Sequence, residues 1–337
     1  MLKALLAACM LSPAPAFASA IDLHLHLPMI EKQVKLKDLE AADVRLIVAV
    51  AYAPPILSQL LRGGYANEVL RQFAKIERWA ARDPRVIMVR TPDEAEAVLK
   101  SKEWRLGVIL AAEGAGGADT IPRLETLWSA GLRMLTIAHF KSTSWGGAAA
   151  VRYWPWASCV PGGKDNGRRS PRGLSKEGER LADWAVAKGL LLDLTHASDK
   201  TAADLARLHP GLPLLFSHEA ARELTPCERT IPPELLREVK RSKGMVGMTM
   251  AANYAGGNME SLLKHAALLA RDAGPETVAI GSDFNGLIDP IEGASYPGDY
   301  ALILKKLRSA GIPADRSAEA FVEFWRLSGA GSKTRRP

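Results

Sequence analysis

The sequence predicts a (β/α)8 barrel, a TIM barrel, with a long loop after its fourth strand. Eight short apolar runs recur along the chain, amphipathic stretches separate them, and the runs lack strict apolar–polar alternation. Such runs suit parallel strands covered on both faces, whereas a half-exposed antiparallel sheet alternates. Strand–helix units repeated eight times close into a barrel of about 250 residues, longer with insertions. The 337 residues are 47% hydrophobic and 24% charged. That composition excludes a disordered chain, a collagen-like repeat and a disulfide-dense miniprotein.

The expected strands are Ile21–Leu27, Val44–Val50, Gly107–Ala112, Arg133–Ala138, Leu190–Thr195, Pro213–Ser217, Met245–Met250 and Val278–Ser282. Val86–Val89 competes as a strand and could shift the count by one. Helical periodicity covers roughly Ile56–Ala81, Pro122–Ala130, Ser175–Lys188, Lys200–Leu208, Pro233–Arg241, Asn258–Asp272 and Asp299–Ala310. With no repeat or linker visible, residues 21–337 read as one domain.

Ahead of that domain, Lys3 precedes the apolar run Ala4–Leu11, and Pro13, Pro15 and Ala18-Ser19-Ala20 follow. This pattern predicts a secretory signal over residues 1–20, cleaved near Ala20, and hence an exported, periplasmic protein. Leu6-Ala7-Ala8-Cys9 offers a rival lipoprotein reading, but few apolar residues precede Cys9. No later apolar stretch reaches spanning length, so no transmembrane segment is expected in the mature chain. Export makes a Cys159–Cys227 bridge conceivable, and two free thiols remain the alternative.

Lysine and arginine number 44 against 37 acids, a formal +7 without a dense basic block outside the Arg335-Arg336 tail. Nucleic-acid binding is not expected from such a spread, and anionic small molecules or envelope surfaces suit it better. The stretch from Lys141 to Arg172 has no periodicity and carries Tyr153, Trp154 and Trp156. Structureless loops beyond about 12–15 residues are usually functional or disordered. A lid over the catalytic face and a surface excursion with packed aromatics are both open.

The main signal lies in the histidines. Of seven, five fall at or just beyond expected strand ends: His24 and His26, His139, His196 and His218. Glu113 ends the third strand and Asp283 follows the eighth. In a closed parallel barrel these positions meet at one rim. Residues two apart on a strand face the same side, so His24 and His26 can grip one ion. Neutral imidazoles with a carboxylate suit a divalent cation, and a Glu between two histidine groups suits a bridge between two. Any one of these histidines, taken singly, would read as a hydrogen-bonded core residue. His209, before Pro210, and His265, within a helix, fit that plainer reading.

Several motifs occur in order: Asp22-Leu23-His24-Leu25-His26-Leu27-Pro28, Glu113-Gly114, Leu135-Thr136-Ile137-Ala138-His139 with Trp145, and Gly173-Leu174-Ser175. Leu192–Ser198, Phe216-Ser217-His218, Arg229-Thr230-Ile231-Pro232, Asn253-Tyr254 and Gly281–Gly286 follow. From about Asp22 to Glu292 this set resembles the membrane (renal) dipeptidase family, the M19 metallopeptidases.

The resemblance implies a dipeptidase with two divalent ions, zinc foremost, and a metal-bridging hydroxide that attacks the peptide bond. It implies that His24 with position 26 holds one ion, His196 with His218 the other, and that Glu113 bridges them. It further implies that His139 contacts the substrate and polarises the carbonyl, that Arg229 and Tyr254 bind the substrate, Arg229 at its C-terminal carboxylate, and that Asp283 handles protons. A small dipeptide is the implied partner, and a homodimer stays open. The family has Asp where this chain has His26, which removes one negative charge from around the ions. The resulting H-x-H resembles the wider amidohydrolase superfamily. A binuclear hydrolase of lactones, cyclic amides or N-acyl amino acids therefore stands as an alternative, as does a non-catalytic periplasmic metal-binding protein.

Overall fold

The computed structural model describes residues 19–27, 34–53, 64–150, 159, 161–165, 167–286 and 288–330. Within them lie nine strands, β1 (Ala20–Leu25), β2 (Val44–Tyr52), β3 (Val86–Met88), β4 (Leu106–Glu113), β5 (Leu132–Thr136), β6 (Leu191–Asp193), β7 (Leu215–Glu219), β8 (Met245–Met248) and β9 (Val278–Ile280). Every pairing between them is parallel. Hydrogen bonding runs β2-β1-β9-β8-β7-β6-β5-β4, and β2 pairs back onto β4 from Leu46–Gly107 to Tyr52–Glu113. Eight staves thus close a barrel, and they are the eight expected runs. The competing run Val86–Val89 is also a strand, but not a stave. It pairs with Leu106–Val108, on the edge of β4 that β5 takes over at Leu110–Glu113.

Among the described helices, those from Lys176 to Lys188, Asp199 to Leu208 and Met259 to Ala273 match the periodic segments. Their starts are capped by Ser175, Ser198 and Asn258, whose side chains each accept a first-turn backbone N–H. Such caps satisfy donors that a helix start leaves unpaired. The helix Ser317–Ala330 was not expected. Its Phe321, Phe324 and Trp325 join one buried cluster with Leu23, Val48, Ile109, Met134 and Leu215 of the barrel interior. The Ala318 N–H donates to the Ser19 carbonyl, just before β1, so this helix plugs the N-terminal mouth.

Strand parity changes where function needs it. Ile21 and Leu23 belong to the interior cluster, while Leu25 and Leu27 pack with the outer layer against the helices. A register shift between Asp22 and Leu25 accounts for the switch, and His24 and His26 turn inward above Leu23. In β7 a similar shift lies between Phe216 and Glu219 and turns His218 inward next to Ser217. Bulges of this kind re-aim side chains beside active sites.

The layer beneath the histidines is kept narrow by two glycines. A Cβ on Gly247 would lie 1.8 Å from the Ser217 carbonyl oxygen and 3.0 Å from the Gly281 Cα. Since packed interiors resist added atoms, Gly247→Ala should cost about 3 kcal/mol. Thermal unfolding reads this as a midpoint several degrees lower, and an unchanged midpoint would contradict the packing account.

Candidate metal centre

Strand ends bring all five expected ligands together at the C-terminal rim. The Nε2 atoms of His24 and His26 are 3.2 Å apart, and those of His196 and His218 are 3.1 Å apart. Glu113 lies between the pairs: Oε1 is 3.7 Å from His24, 3.3 Å from His196 and 3.7 Å from His218, and Oε2 is 3.7 Å from His26. Donors about 2.1 Å from a tetrahedral ion stand about 3.4 Å from one another, so these spacings fit ions held between the pairs. Asp283 Oδ1 is 3.4 Å from His26 Nε2, and His139 Nε2 is 3.5 Å from Glu113 Oε1. His209 and His265 stand apart. His209 lies 3.4 Å from Asp183, and His265 accepts the Ala221 N–H.

Residues beneath the ligands set which ring nitrogen faces the site. The Ser217 hydroxyl donates to Asp193 at 2.7 Å, so it is left to accept the Nδ1 hydrogens of His24 at 3.1 Å and His218 at 2.9 Å. Both Nε2 lone pairs then point at Glu113 and are ready to bind a cation. Asp193 also accepts from Thr136 Oγ1 at 2.6 Å and from the Ser217 and Thr195 N–H groups. Asp22 plays the matching part for the other staves. It accepts the His24 and Ser282 N–H groups, the Ser282 hydroxyl and the Tyr300 hydroxyl. Sequence reasoning quoted Asp22, Asp193 and Ser217 within motifs and gave them no role. Their signal was a polar group inside an otherwise apolar run.

Backbone strain is concentrated here: His196 has φ of 65° and Asp283 a φ of 60°. Non-glycine residues rarely adopt that left-handed region, and such outliers cluster at functional sites. Electrostatics favour neutral nitrogen donors. Burial holds His24, His196 and His218 well below the ordinary histidine value, and burial together with the Arg229 charge takes His139 down to about 3. Burial also depresses His26, but its hydrogen bond to Asp283 and the Glu113 charge outweigh that and leave it raised. Glu113 is pushed up to about 8 by burial, with His26 opposing.

Arg229 enters from the His196 side. Its Nη2 lies 3.4 Å from His196 Nε2 and donates to the His218 carbonyl, and its guanidinium sits 4.7 Å above the Tyr254 ring. Nε and Nη1 are buried without a hydrogen-bond acceptor, although Glu219 Oε2 stands 3.3 Å from Nη1, badly aligned. Burial raises Glu219 to about 8, with the Arg229 charge opposing that rise. A cavity of about 490 Å³ is lined by Tyr52, Tyr65, Glu113, His139 and Lys141. Tyr52 and Tyr65 were missed by sequence reasoning, and Tyr65 donates to the Glu113 carbonyl.

Of the long loop, Trp145 is a core residue whose Nε1 donates to the Ala118 carbonyl. Tyr153, Trp154 and Trp156, on which the lid reading depended, lie outside the described residues. Cys159 and Cys227 are bridged, with Cα atoms 5.4 Å apart, which settles the alternative left open by the sequence.

A closed parallel barrel with nitrogen and oxygen donors converging on its C-terminal rim is an architecture suited to holding metal ions. The membrane dipeptidase (peptidase family M19) profile matches residues 16–316, and the chain belongs to that family. Its relatives include a dipeptidase of Aspergillus terreus, 24% identical over 261 residues that cover 74% of this chain and 63% of that protein. Dipeptidase 3 of Mus musculus is 22% identical over 311 residues, 86% of this chain and 60% of that one. The chain therefore spans about three fifths of these curated relatives. A metallopeptidase structure from Rhodobacter sphaeroides, liganded with a phosphinate mimic of the dipeptide L-Ala-D-Ala, shares the fold. Its TM-score is 0.75 at 20% identity, over 93% of this chain and 99% of that one.

The protonation pattern fixes the pH response of the metal-free protein. Between about 3 and 6.5 the unfolded chain binds the His139 proton and the native state does not, so stability rises with pH. Between 4.5 and about 8 the native state holds protons on Glu113 and Glu219 that the unfolded chain has lost, so stability falls with pH. With His24, His196 and His218 also depressed, the histidines dominate at the acid end, and chelated protein should be most stable near about pH 6.5. Denaturant midpoints across pH check this. Divalent cation binding at pH 7 should displace the Glu113 proton, measurable as proton release by calorimetry in two buffers.

Proposed function

We propose that this chain is a zinc-dependent dipeptidase acting on small substrates with a free C-terminal carboxylate. The observation that carries this reading is the guanidinium of Arg229, buried with two unsatisfied nitrogens, 3.4 Å from a metal-ligand histidine. Arginine offers a planar fork that pairs with a carboxylate through two bonds. His24, His26 and Glu113 would hold one ion, and Glu113, His196 and His218 the other. Two divalent cations, when bound, acidify a shared water and polarise a carbonyl.

The remaining steps belong to the chain's own side chains. Arg229 binds the substrate carboxylate over the Tyr254 ring, which places the scissile bond above Glu113 and the acyl half in the cavity beside Tyr52. His139, neutral because it is buried beside Arg229, donates a hydrogen bond from Nε2 to the carbonyl oxygen as charge develops there. Asp283, beside His26 at the rim, accepts the proton of the attacking water and returns it to the leaving amine.

His26 supports a second reading, a hydrolase of N-acyl amino acids, lactones or cyclic amides, because the cluster carries one negative charge fewer than the family pattern. The exported, periplasmic location belongs to the same proposal. A Cys159–Cys227 bridge suits an oxidising compartment. Signal cleavage after Ala20 would remove the Ser19 carbonyl that accepts the Ala318 N–H.

Zinc-loaded protein should hydrolyse members of a dipeptide panel that includes D-residues at the C-terminal position. Chelator or His196→Ala should abolish that turnover, while Arg229→Met should raise KM by roughly tenfold to a hundredfold. Two bound metals with no dipeptide turned over, and an N-acyl amino acid or lactone turned over instead, would replace this reading with the second.

A further inference from the structure

Arg229 is held from behind by its neighbour in sequence. Glu228 is buried, and its carboxylate accepts three backbone N–H groups. Oε2 takes those of Ala150 at 2.6 Å and Ser170 at 2.7 Å, and Oε1 takes that of Asp199 at 3.2 Å. Ala150 and Ser170 belong to the two legs of the long loop, and Asp199 opens the helix three residues beyond His196. The first leg is also stitched to the ligand segment itself. Ala148 bridges Ala197, the Ala149 N–H donates to the His196 carbonyl, and the Ser198 N–H donates to Gly147.

The carbonyls on either side of Arg229 are pinned as well. Arg222 donates from Nη2 to the Glu228 carbonyl at 3.0 Å and from Nε to the Thr230 carbonyl at 2.9 Å. Its guanidinium is paired in turn with both oxygens of Asp199, at 2.6 and 2.8 Å. On the near side, Cys227 is tied to Cys159 of the same loop. Three successive residues therefore do three jobs: a covalent tether, a carboxylate that gathers three strands of backbone, and a guanidinium that enters the site.

We propose that Glu228 is a positioning residue that sets the separation between Arg229 and the His196 side of the metal centre, and thereby the preference for a substrate ending in a carboxylate. This rests on the dipeptidase reading above. A carboxylate is suited to the task because one oxygen can accept two N–H groups while the other accepts a third. Glutamine could keep two of the three bonds, but its amide NH2 would meet the Asp199 N–H, so it should serve only in part. Alanine leaves three buried N–H groups unpaired and frees the turn that carries Arg229.

The test uses the zinc-loaded full chain and two probes, a phosphinate analogue of Ala-Ala with a free C-terminal carboxylate and its C-terminal carboxamide, titrated calorimetrically. Wild type should bind the carboxylate at least about tenfold more tightly. Glu228→Ala should weaken carboxylate binding about tenfold and leave carboxamide binding within about twofold, with Glu228→Gln between. Dipeptide KM should rise while kcat changes little. Ser170→Pro, which deletes one donor and leaves both Glu228 and Arg229 in place, should shift the ratio in the same direction if Glu228→Ala does not fold. An unchanged carboxylate-to-carboxamide ratio in the folded variants, or an equal loss for both probes, overturns the proposal. Wild type that fails to distinguish the probes overturns instead the carboxylate role of Arg229, and the proposal with it. Failure to turn over any dipeptide bears on the dipeptidase reading and is read separately.

Discussion

The Ser217 hydroxyl is the contact on which the centre depends. It gives its hydrogen to Asp193 and is left with lone pairs that two imidazoles can use, one on β1 and one on β7. Because those rings spend their Nδ1 hydrogens there, their Nε2 atoms face each other's neighbourhood as acceptors, an arrangement unfavourable for a protein and favourable for a cation. Asp193 in turn joins β5, β6 and β7 through Thr136, Thr195 and Ser217. The hydrogen bonds that orient the ligands are the same ones that tie barrel staves together. Gly247 and Gly281 belong to the same construction, since side chains there would occupy the space of the Ser217 backbone.

Charge is sparse above this layer. Glu113 and Asp283 are the carboxylates in contact with the described histidine cluster, and burial drives the first toward its neutral form. With five imidazoles around so little negative charge, a bound cation would draw its anionic partner from the ionisation of Glu113. The His26–Asp283 contact supplies the second carboxylate on the side where the family pattern has its own Asp. Arg229 adds positive charge beside His196.

Much of this was legible in the sequence because it depends on local pattern. The eight staves follow from apolar runs, and the donors His24, His26, Glu113, His196 and His218 follow from their places at strand ends. What escaped depends on geometry that spacing does not encode. A period-two reading puts His24 and His26 on one face, but it cannot tell that a register shift separates them from Ile21 and Leu23 on the same strand. Val86–Met88 has the composition of a stave, and only its pairing partner reveals that it shares an edge with β5. The helix Ser317–Ala330 follows no strand, so the alternating β–α logic had no place for it. Glu228 reads as a surface charge between a cysteine and an arginine, because its three partners are 29 to 78 residues away.

The disulfide has a topological consequence. Cys159 and Cys227 are 68 residues apart, and the ring they close contains His196 and His218. A single break in the main chain inside that ring leaves both halves of the molecule covalently joined. The segment bearing one half of the centre is thus fastened at both ends, one of them two residues from Arg229. A nick there by an external protease would open the loop without releasing a fragment.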